Sequence, residues 1–456
     1  MLYIMVWFTI VLFSVLLFRN AAGTLSLSKL NLHSFIFYYS LLVSSYIGSL
    51  LIVLNIDQSY IIKKIMFEES REVGFWLVSM AMLLLPLTMV ITSRLMGFHP
   101  DGEFQKYWNA PLEEIYTEKK SRVDFYRCFV VLASVSLFAV AYTLWKTFPF
   151  PLYEAIIGSG SDLAVGRITA KGQISGAGNY LKNIMGIGLT PLLSMVAYAY
   201  AVMTREKKWW YWFSVLFIGA LLIQLYDLQK APVLFYFAMF LLLRMWIGKT
   251  KLNAFRISAL ALAGVVYLIG IYTVFGVGGS DLFSYNKGPV GRIILTQVAP
   301  MYTYVDRYDE VYPYLQEEGL PPTILKIYGE DPVRSAAKLM ADLFPEKVEA
   351  GTAGVLNTLY IGELYASFGW FGVILGTVYL GIIIQVLYVL ILRLPKHPIF
   401  LSLLIFFTVN IPRALVGGFS DLIFNIVWIS LTVIILLPLF FISLRDFRIT
   451  REMVKK

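Results

Sequence analysis

Residues 277–354 read VGGSDLFSYNKGPVGRIILTQVAPMYTYVDRYDEVYPYLQEEGLPPTILKIYGEDPVRSAAKLMADLFPEKVEAGTAG. The stretch holds seven tyrosines, seven Lys/Arg and eleven Asp/Glu. On both sides the chain is a succession of apolar runs. Helix connections usually take a handful of residues, so an insert of this size is more than a connector. Its possible role depends on the side of a membrane that it faces.

The flanking runs set the class. The chain is 58% hydrophobic and 15% charged, with mean hydropathy +0.71. A soluble domain carries roughly 25% charged residues. Apolar runs of about 20 residues recur, each long enough to cross a hydrocarbon core of ~30 Å. The alternation of a membrane β-barrel is absent. The expected fold is all-α: a polytopic membrane protein with about eleven transmembrane helices. They are expected near 2–18, 34–54, 75–92, 126–147, 183–203, 211–226, 231–247, 255–276, 370–392, 400–417 and 423–444. Residues 355–368 read as an amphipathic lead-in at the interface. The first run lacks a charged leader region and a small-residue cleavage site, so it reads as a retained helix. The lone Cys128 can form no internal disulfide.

Lys and Arg give the orientation. One set of loops, with the C-terminal tail, holds twenty-two; the other holds nine once the seven in the insert are left out. Basic residues favour the cytoplasmic side. The N-terminus is therefore expected outside, the C-terminus inside and residues 277–354 outside. The expected organisation is residues 1–276 with eight helices and a glycine-rich exterior loop at 148–182, the long exterior loop 277–354, and residues 355–456 with three helices and a basic cytoplasmic tail. The net charge of +9 needs no nucleic-acid partner, because cytoplasmic loops of membrane proteins are basic as a rule.

Several residues have the chemistry of a site. Arg167 lies among the glycines of the first exterior loop; its planar fork suits phosphate, and glycine lets a backbone approach a ligand. Alternatively it is a solvated arginine in a flexible loop. Asp227 and Lys230 are three apart at the exterior end of a helix and so on one helical face, as a membrane-edge site or as an ion pair. Arg413, with Asn410 and Asp421, forms a polar cluster around a helix expected to break at Pro412. Arg292 opens the insert; Arg307 and Arg334 read as surface residues. Glu363, the one acid in an apolar stretch, reads as a buried base or a capping carboxylate. The insert tyrosines, Tyr302, Tyr304 and Tyr308 among them, suit stacking on sugar rings or an interfacial belt. Within the insert, Asp331-Pro332 reads as the start of a helix through RSAAKLMADLF that stops before Pro345. The three histidines, His33, His99 and His397, fall in expected cytoplasmic loops. No metal site, Walker motif or cofactor is expected.

Two of these features carry a resemblance. GELYASFGWFGVILG (362–376) follows the long exterior loop, and Arg167 is followed after ten residues by Gly178. In both, and in layout over most of its length, the chain resembles the Wzy-type polymerases of bacterial O-antigen and capsule repeat units. It departs from them in the second loop. There Thr303, Glu318 and Pro345 stand where glycine would follow Arg292, Arg307 and Arg334.

The resemblance implies a glycosyltransferase of the bacterial inner membrane that polymerises undecaprenyl-diphosphate-linked repeat units at the exterior face. It implies roles for Arg167, Arg292 and Arg413 around the diphosphate, assisted by Lys230 and Gly178. Asp421, Glu363 and Asp227 would be candidates for the base. Membrane lipid and a polysaccharide chain-length regulator would be partners. Two further readings stand beside it. O-antigen ligases share the architecture, but their activity is associated with an exterior-loop histidine that this chain lacks. A flippase or transporter would show inverted repeats and midplane charges.

Overall fold

The computed structural model describes residues 1–456 except 117, 159–165, 167–169, 171, 252, 254, 257–258, 260–261, 267–269, 271–283, 287, 321, 330–332, 352, 421, 423–424 and 455–456. Among the described residues there is no strand, and nine helices are long and apolar enough to cross a membrane. These are α1 (Leu2–Ala22), α2 (Leu32–Val53), α3 (Glu69–Leu95), α5 (Lys119–Lys146), α6 (Ala177–Thr204), α7 (Lys207–Leu225), α12 (Ile361–Arg393), α13 (Pro398–Leu415) and α14 (Ile426–Val454). Between them lie α4 (Pro100–Asn109), α8 (Lys230–Trp246), α9 (Gly288–Ile294), α10 (Ala299–Arg307) and α11 (Ser335–Leu343). The protein is thus helical and multi-pass. The run expected at 231–247 forms α8, a shorter apolar helix. The run expected at 255–276 falls largely outside the described residues.

The chain divides into two compact units. Unit 1 comprises residues 1–109, 251–393 and 407–425; unit 2 comprises 110–250, 394–406 and 426–456.

In unit 1, α3 packs along α12 and α1. The α3–α12 approach is close because Gly381 has no side chain: a Cβ there would lie 2.8 Å from that of Thr88. Small residues allow such contacts between membrane helices. α12 begins at Ile361, nine residues before the expected 370, and kinks at Phe368–Gly369. The kink forms because Gly369 takes φ +57° against the ring of Tyr314. The expected interfacial lead-in is therefore, from Ile361 on, the buried first turns of a longer helix.

The insert belongs to this core. Every residue of α10 is buried, and α10 packs on α12 and α3. The carboxylate of Asp306 accepts from the backbone N–H groups of Met66 and Phe67 at 2.8–3.0 Å and from Ser70 Oγ at 3.1 Å. It also pairs with Arg307. Arg307 reaches Asp342 at 2.9 Å and donates to the Lys64 carbonyl at 3.1 Å. Arg307 is therefore a buried tie between the insert and the 57–71 segment, not the surface residue expected. Arg334 is exposed, as expected. α11 stops before Pro345 as expected, but its N-cap is Arg334; Asp331 and Pro332 lie outside the described residues.

In unit 2, α6 and α7 form an antiparallel hairpin, and α5 and α14 pack on the π-helical start of α6, Leu181–Leu189. Rings fill the space between α6, α7 and α8: Tyr198, Phe213, Phe217, Tyr236 and Phe240 meet at centroid distances of 5.2–5.9 Å. α7 ends at Leu225 and α8 starts at Lys230, so Asp227 and Lys230 do not share a helical face. Asp227 instead accepts from the Gln229 backbone N–H at 3.3 Å and from its side chain, closing the turn.

His33 lies in a helix instead of the expected loop, whereas His397 lies in the loop between α12 and α13; both are buried. His33 starts α2 and pairs with Gln385 at 2.6 Å. His397 accepts from Ile399 N–H through Nδ1 at 3.3 Å, which leaves the proton on Nε2, 2.7 Å from Tyr200 Oη. His99 is exposed in a loop.

Candidate functional site at the end of helix α13

Three polar residues of unit 1 that sequence reading singled out, Asn410, Arg413 and Glu363, lie where α13 ends. Proline has no N–H to donate within a helix and usually breaks it. Here α13 runs through Pro412 to Leu415, so the break expected at Pro412 comes three residues later. Ser40, in the π-helical middle of α2 (Ile36–Tyr46), donates its hydroxyl to the Pro412 carbonyl at 2.7 Å. Pro412 lies in the last turn of α13, and its carbonyl is one of those that a helix end leaves open. π-helical turns are rare and recur at functional sites.

Arg413 follows on the next position, half-buried. Its Nη1 donates to Asn410 Oδ1 at 3.0 Å, and its charge is felt by Tyr39, beside Ser40 on α2. A guanidinium at the end of an apolar span is costly unless it has a partner or a function.

α13 then unwinds. Gly417 and Gly418 donate back to the Ala414 carbonyl at 2.9 and 3.1 Å, and the Leu415 carbonyl accepts from Tyr360 N–H at 2.7 Å. These bonds supply partners for carbonyls that a helix end leaves open. Gly418 has φ +135° and touches Glu363: a Cβ there would lie 2.6 Å from Glu363 Oε1. Glu363 Oε2 accepts from Ser420 N–H at 2.7 Å. The structure therefore favours the capping alternative for Glu363, which is buried and holds the 417–420 turn in place. Asp421, the next residue, lies outside the described residues.

Tyr304 packs beside this turn of α12. Its Cδ2 would lie 3.1 Å from a Cβ at Gly362. Burial, and secondarily the Glu363 charge, hold its phenol well above the usual tyrosine range. Tyr304 and Tyr308 stack at 6.1 Å, and Tyr302 Oη meets Ser49 Oγ at 2.6 Å. All three rings are fully buried, so they present no face on which a sugar could stack, contrary to expectation.

The remaining candidates are dispersed. Arg292 is exposed on α9. Gly178 lies partly buried in the first turn of α6, in unit 2. Lys230 opens α8 in unit 2, and its side chain lies outside the described residues. Arg167 lies outside them altogether. Tyr39, Ser40 and Ser420 were not singled out by sequence, because a tyrosine or serine in an apolar run carries no signal until a neighbour is known.

No family model matches the chain, and no curated protein or solved structure matches it.

Proposed function

We propose that the protein is a membrane-embedded glycosyltransferase that polymerises undecaprenyl-diphosphate-linked oligosaccharide repeat units into an O-antigen or capsular polysaccharide. In this reading it sits in the bacterial inner membrane with the α13 end and the insert on the exterior face. The observation that carries the reading is Arg413, half-buried at the end of an apolar span and flanked by Asn410, Tyr39 and the turn held by Glu363. The resemblance in residues 362–376 and in the Arg167–Gly178 spacing supports it independently.

In the reaction, an acceptor-sugar hydroxyl attacks the anomeric carbon of the donor glycan. The new C–O bond forms as the bond to the diphosphate breaks, and the hydroxyl proton passes to a carboxylate. Arg413 neutralises the diphosphate as it leaves; preorganised charge of this kind is often the largest catalytic contribution. Glu363 fixes the turn that leads into Asp421, the base in this scheme. A chain-length regulator would act from outside.

Reconstitution of the purified protein with lipid-linked repeat units tests the reading. Polymer should form, and Arg413→Ala should lower its rate by about a hundredfold or more, the usual scale for losing one stabilising group. Failure to form polymer under any condition would sink it. Transfer of preformed polymer onto a lipid A core would assign the ligase activity instead.

A further inference from the structure

A second feature, in unit 2, owes nothing to the glycan reading. A cavity of about 410 Å³ lies among Glu114, Arg122, Tyr126, Thr204, Glu206 and Lys208. Its depth follows from the helices that form it. Arg122 is in the first turn of α5, Thr204 closes α6 and Lys208 is in the first turn of α7. Three apolar spans thus end around one cavity, at the level where hydrocarbon gives way to lipid headgroups. Trp210 and Tyr211, exposed on the first turn of α7, are the residue types that settle at that level.

The charges of the lining are two of each sign. Glu114 pairs with Arg122 at 3.2 Å, and Glu206 with Lys208 at 2.7 Å. Both pairs are partly exposed to solvent, and such pairs contribute little and exchange partners readily. Burial, opposed by Arg122 and reinforced by the Glu206 charge, holds the Glu114 carboxyl above its ordinary range. A further cation between the two carboxylates would relieve that. Tyr126 adds an aromatic face, with Lys208 Nζ 4.7 Å from its centroid, and such faces attract ammonium groups.

We propose that this cavity binds the headgroup of a zwitterionic phospholipid, with its ammonium between Glu114 and Glu206 and its phosphate on Arg122 and Lys208. The balance of charge selects the class. A purely anionic headgroup would place its phosphate on the two cations and leave both carboxylates beside it without compensation. The position at the ends of three spans selects a lipid over a soluble phosphate ester, because the acyl chains continue along the apolar helix faces.

The test is native mass spectrometry and thermal unfolding of the purified full-length protein with phosphatidylethanolamine, phosphatidylcholine and phosphatidylglycerol of matched acyl chains. The two zwitterionic lipids should be retained and should raise the unfolding temperature; phosphatidylglycerol should do neither. The double variant Glu114→Gln/Glu206→Gln should lose about tenfold or more in affinity for the zwitterionic lipids, since both carboxylate charges that face the ammonium go. A measurement on the unmodified chain makes the test independent of that variant's folding. A phosphatidylethanolamine with a photoreactive headgroup should cross-link within residues 112–126 or 203–209. Equal retention of phosphatidylglycerol, or cross-links elsewhere, would overturn the proposal. So would soluble phosphoethanolamine binding as tightly as the lipid, which would assign the cavity to a soluble metabolite.

Discussion

At the residue scale, Glu363 shows how a side chain's role follows from what it touches. As an acid in an apolar run it fits a proton acceptor or a cap equally well. Its bond to Ser420 N–H and its contact with Gly418 fit the cap. Glu363→Gln keeps an oxygen for Ser420 and should unfold close to the native temperature. Glu363→Ala leaves that N–H without its acceptor and should cost about 1–3 kcal/mol. If Glu363 instead took the proton, Gln would abolish polymer formation as completely as Ala.

His397 makes a second residue-level prediction. Burial pushes its imidazole down to about 3, so it is neutral in the folded protein. In the unfolded chain it titrates near 6.5. A depressed folded-state value means that stability is full above 6.5 and is lost as pH falls toward 3, by about 1.4 kcal/mol per unit for this one group. Unfolding temperatures measured between pH 7 and 5 should fall, and His397→Leu should flatten the slope. An unchanged slope in that variant would remove His397 as the cause.

At the scale of elements, the insert is the instructive case. Its length reads as more than a connector, and its tyrosines as rings for stacking on sugars or for an interfacial belt. What the charges alone do not reveal is that Asp306 receives two backbone N–H groups from the 57–71 segment and a buried guanidinium from its own neighbour. Asp306→Ala would leave Arg307 buried with only Asp342 opposite, and breaking a buried pair costs about 3–5 kcal/mol. The variant should unfold well below the native protein and should be cut within the insert by protease. Glu310→Ala, at an exposed position beyond the end of α10, should change neither. Matching sensitivity of the two variants would show that the buried tie does not hold the insert.

At the scale of the whole molecule, orientation rests on the count of basic residues, and labelling tests it directly. With Cys128 replaced by alanine, a cysteine at the exposed position Glu349 should react with an impermeant reagent in spheroplasts. A cysteine at the exposed position Lys207 should react only after permeabilisation. The reverse pattern would invert the protein and put the α13 end on the wrong side for exterior polymerisation.

The helical spans were legible because their cause is local. A run of about twenty apolar residues cannot leave its backbone polar groups unpaired in hydrocarbon, so composition alone forces a helix. The stop of α11 before Pro345 was legible for a similarly local reason. The candidate site was legible only as names. Arg413, Asn410 and Glu363 stand out as polar residues in apolar surroundings, whereas Ser40, Tyr39 and Ser420 do not. The partner of the Pro412 carbonyl is a hydroxyl 372 positions away in sequence. The burial of Tyr302, Tyr304 and Tyr308 depends on α3 and α12 closing around α10. Sequence by itself marked nine of the eleven expected runs as helices long and apolar enough to cross a membrane, and where charge interrupts them, because hydrophobic transfer acts on each segment alone. Only the tertiary structure decided which of those charges became ties, caps or exposed groups, because that depends on partners brought together from distant parts of the chain.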